Sequence, residues 1–319
     1  MKGDEGDRPP QGAAGAFLHR LIDDASPFPP ASLPLPEAVG QHRAHRRGPY
    51  RWLLGRFVVT ASRLGDLLPL LREEDAPWRL SVVLDLAPDR PWPDALGDAL
   101  AAVAACAASA QGRATVDSLE ARLPVGAEAT AFARALAEGA GARGLGASLF
   151  VEVPFGEGWE RQVPAALEAV ATAGLGAKVR CGGSRPQDFP TVPQLARFIT
   201  VCARLGLPFK ATAGLHHPLP HPDEALDITQ HGFLNVLGGA LLAYCGRLDE
   251  DGLAEILADT DPSRFRLDAE GFGWRDVCLE AAEVARGRQR VLCFGSCSFL
   301  EPIEGLQALF GLPSLTATA

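Results

Sequence analysis

The chain has 319 residues, of which 47% are hydrophobic and 22% are charged, and its formal net charge is −9. This hydrophobic fraction is sufficient for a large buried core, which excludes a disordered or fibrous chain. The acidic balance argues against nucleic acid and against an anionic membrane surface as partners, because both attract basic proteins. Small-molecule ligands are the class of partner that this composition does not exclude.

The N-terminal segment has a composition of its own. Residues 1–12 are polar and rich in glycine and proline, so we expect them to be disordered. A short helix over Ala14–Asp24 and a second over Pro36–Arg47 are predicted on either side of a proline-rich stretch. We therefore expect residues 1–55 to form an N-terminal extension that packs on the domain that follows.

From residue 56 onward, short apolar runs alternate with stretches of helical period, which predicts βα units around a parallel sheet. Eight strands are predicted: Arg56–Thr60, Leu80–Asp85, Thr115–Glu120, Ala147–Val153, Ala177–Arg180, Pro208–Thr212, Gly232–Val236 and Val291–Phe294. Eight such units favour a (β/α)8 barrel of the TIM type over residues 56–319. A doubly wound open sheet is the alternative, but no G-x-G-x-x-G or P-loop motif supports it.

Polar residues recur near the predicted strand ends at intervals of about one βα unit. They are Asp85, Glu120, Glu152, Lys178, Lys210 and Asn235. The next strand-end residue, Ser296, follows 61 residues after Asn235, which predicts an insertion at about residues 247–274, between strands seven and eight.

The carboxyl ends of barrel strands carry the active site in this architecture, so these residues are the first candidates. We expect catalytic roles for four of them: Glu120, Glu152, Lys178 and Lys210. Substrate-binding roles are expected at Asp85, Arg180, Asn235, Gly295 and Ser296, where Gly295 and Ser296 form a small-residue turn suited to a phosphate. Arg180 would add bidentate recognition of a phosphate or carboxylate.

The lysines are conspicuous because only Lys2, Lys178 and Lys210 occur among 30 basic residues. Lysine can lose its proton and act as a nucleophile or base, whereas arginine stays protonated. Two of the three lysines fall on adjacent predicted strands, which favours lysine chemistry. The alternative is structural: Lys178 pairs with Glu152, and Lys210 pairs with a carboxylate such as Glu120.

Residues 208–214 carry a local resemblance. Their sequence, Pro-Phe-Lys-Ala-Thr-Ala-Gly, resembles the strand-six motif Phe-x-Lys-x-Ser/Thr-x-Gly of class I, Schiff-base aldolases of the deoxyribose-phosphate aldolase kind. The resemblance implies that Lys210 forms an imine with a carbonyl substrate. That family has its second lysine on the following strand, where this chain has Asn235; here Lys178 lies on the preceding predicted strand.

A histidine-rich loop follows the predicted sixth strand, with His216, His217 and His221, and His231 comes shortly after. His216 and His217 could act as general acids or bases. The four histidines could instead hold a divalent metal together with a carboxylate, which is the one cofactor considered; otherwise none is predicted. A purely structural loop is the third interpretation.

Seven scattered cysteines indicate reduced thiols rather than a disulfide framework, and the chain has neither a signal-like apolar segment nor a membrane-spanning run. We therefore expect a cytoplasmic protein and leave homo-oligomerisation open. Cys181 and Cys297 are interpreted as small buried residues rather than nucleophiles.

Together these features predict a lyase or isomerase that acts on a small carbonyl compound. In this hypothesis Lys210 forms the imine or acts as base, Lys178 lowers the pKa of Lys210, and Glu120 or Glu152 moves a proton. Two alternatives stay open: a metal-dependent hydrolase or lyase that uses the histidines, and a non-catalytic barrel that binds a small ligand.

Overall fold

A closed barrel of eight parallel strands forms the centre of the molecule in the computed structural model, which describes residues 10–74 and 77–311. The predicted (β/α)8 architecture is confirmed. The barrel strands are β1 (Ile22–Asp24), β2 (Leu54–Thr60), β3 (Trp78–Leu84), β4 (Ala114–Arg122), β5 (Ser148–Glu152), β6 (Gly176–Arg180), β7 (Phe209–Thr212) and β13 (Val291–Ser296). Strands β1 to β7 pair in chain order, and β13 closes the barrel between β7 and β1.

Helices surround this barrel and connect its strands. They are α1 (Gly12–Leu18), α2 (Leu35–His45), α3 (Leu64–Leu67), α4 (Trp92–Ser109), α5 (Ala129–Gly141), α6 (Trp159–Thr172), α7 (Val192–Leu205), α8 (Phe233–Tyr244), α9 (Glu250–Ala258), α10 (Ala281–Gly287) and α11 (Leu300–Phe310).

Helix α7 shows how local sequence sets these boundaries. Thr191 and Gln194 form a reciprocal capping box at its start, and Gly206 ends it with a φ of 61°. Residues at helical spacing, among them Leu195 and Phe198, are buried on one face. The helix is therefore bounded by its caps and held by one apolar face.

The first barrel strand lies inside the segment that we expected to be an extension. β1 has only three residues, two of which are aspartates, so it shows neither strand length nor apolar alternation. Its place is set by partners on both sides, with Asp23 opposite Gly295 of β13 and Asp24 opposite Phe57 of β2. Disorder was expected for residues 1–12. Residues 1–9 lie outside the described residues, and Gly12 already begins α1.

The predicted strand Gly232–Val236 is wrong, because these residues form the start of α8. Ten residues of α8 are buried, so the helix is apolar on almost all sides and its sequence lacks the polar face that identifies a helix. Gly238 permits this packing, since a Cβ there would lie 2.2 Å from the Phe272 ring. Because β1 belongs to the barrel and Gly232–Val236 does not, Lys178 and Lys210 lie on the sixth and seventh strands of the barrel.

An insertion lies between the seventh and eighth barrel strands, and its elements extend beyond the expected residues 247–274. The chain between β7 and β13 contains α8, α9 and α10, a hairpin and a small antiparallel sheet. The hairpin strands are β8 (His221–Asp223) and β9 (Ile228–Gln230), and the sheet strands are β10 (Phe265–Leu267), β11 (Gly271–Trp274) and β12 (Val277–Glu280).

Phe272 of the inserted sheet packs against Phe17 of α1, with ring centroids 5.3 Å apart. The insertion thereby fastens the N-terminal helix to the barrel. Among the described helices, none has both the length and the apolar character needed to cross a membrane.

Candidate active site

Five charged side chains from five strands meet inside the barrel. They are Asp23 (β1), Glu120 (β4), Glu152 (β5), Lys178 (β6) and Lys210 (β7), and each is at most 4% exposed. The register of the parallel strands brings them together, because Lys178 lies opposite both Glu152 and Lys210. We call these five residues the charge network.

Positive and negative groups alternate along the charge network. Lys210 Nζ lies 2.7 Å from Asp23 Oδ2 and 2.5 Å from Glu120 Oε1. Lys178 Nζ lies 2.7 Å from Glu120 Oε2 and 3.0 Å from Glu152 Oε2. Glu120 therefore bridges the two lysines, one with each carboxylate oxygen.

The end of the network at Asp23 is enclosed by further polar groups. The backbone N–H of Arg56 donates to Asp23 Oδ1 at 2.8 Å, and the Cys293 thiol donates to Asp23 Oδ2 at 3.3 Å. Lys210 Nζ also donates to Ser81 Oγ at 3.3 Å. The carboxylate of Asp23 and the ammonium group of Lys210 are therefore both hydrogen-bonded, as buried charges require.

The carboxylates decide the protonation of both lysines. Burial by itself lowers the pKa of Lys210, but the charges of Asp23 and Glu120 outweigh burial and raise the pKa above its usual value. Burial also acts to lower the pKa of Lys178, but the charges of Glu120 and Glu152 outweigh burial and raise this pKa. Both side chains are therefore ammonium groups at neutral pH, and the expectation that Lys178 lowers the pKa of Lys210 is not met.

The two lysines also hold the central carboxylate in its ionised form. Burial acts to raise the pKa of Glu120, but Lys178 and Lys210 lower it far below its usual range. The pKa of Glu152 is lowered as well, by Lys178 and Arg180 against the effect of burial.

A cavity of about 1530 Å³ opens above one part of the charge network. Glu120, Glu152 and Lys178 line it, whereas Lys210 and Asp23 do not. Other lining residues named by the sequence analysis are Asp85, Arg180, His216, His217, His221 and Gly295. The two lysines thus differ in access: a ligand in the cavity would meet Lys178 first.

Two arginines border Glu152 and the cavity. Arg180 Nε lies 3.2 Å from Glu152 Oε1, and Arg122 Nε lies 3.8 Å from the same oxygen. Their side chains are 41% and 62% exposed, so each guanidinium retains donors for a ligand. Such donors suit a carboxylate or a phosphate.

Three other predicted site residues lie outside the charge network: Asp85, Gly295 and Ser296. Asp85 lies at the cavity wall, where its carboxylate accepts hydrogen bonds from the backbone N–H and the hydroxyl of Ser62. Gly295 lies on the wall as well, while its neighbour Ser296 is buried and accepts a hydrogen bond from the backbone N–H of Ser298 at 3.3 Å.

Asn235 lies apart from the cavity, in α8. Its amide Nδ2 donates to the carbonyl oxygens of Ile256 and Asp259 at 2.6 and 2.8 Å. The side chain is fully buried, so it fastens the end of α9 to α8. Its expected place at a strand end followed from the incorrect strand Gly232–Val236.

The side chains of the four histidines, His216, His217, His221 and His231, do not meet at a common point. His231 is buried and its Nε2 donates to the carbonyl oxygen of Pro190 at 2.7 Å, while the rings of His217 and His221 lie 3.9 Å apart. Over residues 10–74 and 77–311, no group of three or more His, Cys, Asp or Glu is arranged to hold a metal ion. The described geometry therefore gives no support to the metal alternative.

His216 has different neighbours from the other loop histidines. Its Nδ1 lies 2.6 Å from Glu301 Oε2, and its Nε2 lies 3.7 Å from Cys297 Sγ. Cys297 is half-buried and lines the cavity, so its interpretation as a small buried residue is wrong. The sequence could not show this pairing, because Cys297 and His216 are 81 residues apart.

Asp23 is not recognisable as a site residue from the sequence, for a related reason. The residue lies in a three-residue strand, and its partner Lys210 is 187 residues away. The only local signal was an Asp-Asp pair after the apolar residues Leu21 and Ile22.

Comparison with known proteins gives the fold. No protein-family model matches the chain, and no curated protein matches it. Among solved structures, it is similar to a deoxyribose phosphate aldolase from Aeropyrum pernix, described as having a unique tetrameric structure, with 11% sequence identity and a TM-score of 0.51. The match covers 92% of each chain, and at this identity it shows the shared barrel fold.

Proposed function

We propose that this chain is a Schiff-base lyase of the aldolase type that acts on a small carbonyl compound, with Lys178 as the imine-forming amine. The observation that carries the proposal is the position of Lys178, which lines a large cavity and contacts two carboxylates. This assignment differs from the one suggested by the local motif, in which Lys210 formed the imine.

Access favours Lys178 over Lys210. Lys210 is enclosed by Asp23, Glu120 and Ser81 and does not line the cavity. A covalent intermediate needs an amine that a substrate can reach, with a base at hydrogen-bond distance. Lys178 meets both conditions.

The contacts of Lys178 suggest how it would react. Lys178 first loses one proton to solvent, which its raised pKa makes infrequent at neutral pH, and the free amine then attacks the substrate carbonyl carbon. Loss of water then gives the protonated imine. When a carboxylate removes the proton of the substrate's β-hydroxyl group, the Cα–Cβ bond breaks: the hydroxyl carbon becomes a carbonyl group, and the electron pair of the broken bond moves towards the imine nitrogen to give an enamine. Arg180 would hold an anionic group on the substrate, because its guanidinium borders both Glu152 and the cavity.

The order of the lysines along the barrel adds support. In the resembled aldolases the imine-forming lysine is on strand six and the second lysine is on the next strand. Lys178 is on the sixth barrel strand here and Lys210 is on the seventh. The similar solved structure is itself called a deoxyribose phosphate aldolase, which makes an aldol-type reaction the first one to test.

Reductive trapping tests the proposal. The protein is incubated with a panel of small aldehydes and keto acids, reduced with borohydride, and mapped by peptide mass spectrometry. The expected result is a mass increment on Lys178 that is absent from the Lys178→Arg variant and present in the Lys210→Arg variant. A label on Lys210 instead would show that the lysine of the 208–214 motif forms the imine, and it would refute the assignment to Lys178. The absence of a label on both lysines would refute an imine mechanism.

A second candidate function, a barrel that binds a small ligand without chemistry, is favoured by one observation. Both lysines are fully paired and their pKa values are raised, as in a structural ion network. For this candidate, Lys178→Arg should bind the same ligands with the same affinity, because the charge is kept.

A further inference from the structure

A thiol, an imidazole and a carboxylate meet at the rim of the cavity. Cys297 lies in the turn between β13 and α11, Glu301 is in the first turn of α11, and His216 is in the loop after β7. Strands β7 and β13 are paired neighbours, so the loops after them meet at one end of the barrel. These three residues are called the thiol triad below.

The imidazole bridges its two partners through different nitrogens. Nδ1 of His216 lies 2.6 Å from Glu301 Oε2, and Nε2 lies 3.7 Å from Cys297 Sγ. Since a carboxylate only accepts, Nδ1 carries the proton and Nε2 is left free to accept the thiol proton. This is the order of a nucleophile, a base and a group that orients the base.

The electrostatics support transfer of that proton. The hydrogen bond with Cys297, together with the Glu301 carboxylate and against partial burial, raises the pKa of His216. Cys297 also lies two residues before Phe299, the N-cap of α11, and the amino end of a helix favours a negative charge.

The thiol triad is open to ligands, unlike Cys181, the cysteine at the end of a strand two positions away in the barrel. Cys297, His216 and Glu301 all line the cavity of about 1530 Å³. Cys181, after β6, is fully buried, and burial raises the pKa of its thiol to about 12. Position in the barrel alone therefore does not explain the environment of Cys297.

We propose that Cys297 is a second nucleophile of this cavity, which adds reversibly to aldehydes with His216 as its base and Glu301 as the group that positions His216. The thiol gives its proton to His216 Nε2, and the sulfur forms a bond to the carbonyl carbon. The C=O π electrons move to the oxygen, which takes the proton back from His216, and the product is a hemithioacetal. No further reactant is needed, and the step is independent of Lys178.

Alkylation tests the activation of the thiol. The native protein is treated with iodoacetamide at pH 7, and the rate at each cysteine is followed by peptide mass spectrometry. Cys278, which is exposed, serves as the internal control. We expect Cys297 to react about tenfold faster than Cys278, and we expect His216→Gln and Glu301→Gln to remove that advantage. Equal rates at the two cysteines in the native protein would overturn the proposal, whatever the variants do.

Adduct formation is tested with [1-13C]acetaldehyde. We expect a carbon NMR signal of a hemithioacetal in the wild type, in Cys278→Ser and in Lys178→Arg, and its loss in Cys297→Ser. A signal that persists in Cys297→Ser would assign the adduct to another thiol and refute the proposal. Because borohydride trapping reports the imine and this signal reports the sulfur adduct, failure of either proposal is recognised separately.

Discussion

Lys178 and Lys210 are register partners on neighbouring strands, but only Lys178 lines the cavity. Glu120 joins them, at 2.7 Å from Lys178 Nζ and 2.5 Å from Lys210 Nζ. One lysine is therefore available to a ligand, while the other neutralises buried carboxylates beneath it. This difference in access is the basis of the proposal that Lys178 is the reactive amine and Lys210 its buried counter-charge.

The pH dependence of trapping follows from the raised pKa of Lys178. Below that pKa, the fraction of neutral amine increases about tenfold per pH unit, so trapping at Lys178 should accelerate steadily between pH 7 and pH 9. Glu152→Gln removes one of the two charges that raise the pKa, so the profile should move to lower pH. The rate is measured by mass spectrometry with cyanoborohydride present. Glu250→Gln, in a surface pair with Arg197, serves as the control and should leave the profile in place.

Removal of Lys210 should destabilise the fold strongly. Lys210→Met removes the ammonium group that Asp23 and Glu120 share and leaves three buried carboxylates with one lysine, so we expect the free energy of unfolding to fall by about 3–5 kcal/mol. Arg197→Met is the matched control, because Arg197 and Glu250 form a partly exposed pair; it should cost less than about 1 kcal/mol. Urea unfolding measures both losses, and similar values for the two variants would contradict a buried charge network.

The lowered pKa of Glu120 predicts how stability changes in acid. A carboxyl group whose folded pKa lies below its unfolded value of about 4.3 stabilises the fold above that pH and loses this contribution as the pH falls through the folded pKa. Stability should therefore decline as the pH is lowered below about 4, and more shallowly in Glu120→Gln. Unfolding free energies at several pH values test this. The exposed Glu304→Gln variant should follow the wild type, and an unchanged slope in Glu120→Gln would refute the prediction.

Asn235 should matter for stability and not for the site. Asn235→Ala leaves the carbonyl oxygens of Ile256 and Asp259 without their donor, so we expect a loss of about 1–3 kcal/mol. Trapping at Lys178 should be unaffected in the folded variant. Gln289→Ala, at an exposed position, should change stability by less than about 0.5 kcal/mol. If Asn235→Ala slowed trapping at Lys178 and left the free energy of unfolding unchanged, Asn235 would have a role in the site.

The barrel and four members of the charge network could be predicted because their signals are local. Alternation of apolar runs and helical stretches identified seven of the eight barrel strands, and the spacing of polar residues placed Glu120, Glu152, Lys178 and Lys210 at strand ends. Strand β1 escaped because three residues with two aspartates have no periodicity of their own. The run at Gly232–Val236 was misassigned because an apolar stretch has the same appearance in a buried helix and in a strand.

Partners that are distant in the chain were beyond the reach of these local signals. Asp23 meets Lys210 across 187 residues, and Cys297 meets His216 across 81. Such contacts depend on which strands become neighbours when the sheet closes, and on the cavity that the loops leave open. The lysine count pointed to two residues, but burial and the closure of the barrel made Lys210 a buried counter-charge and left Lys178 facing the cavity.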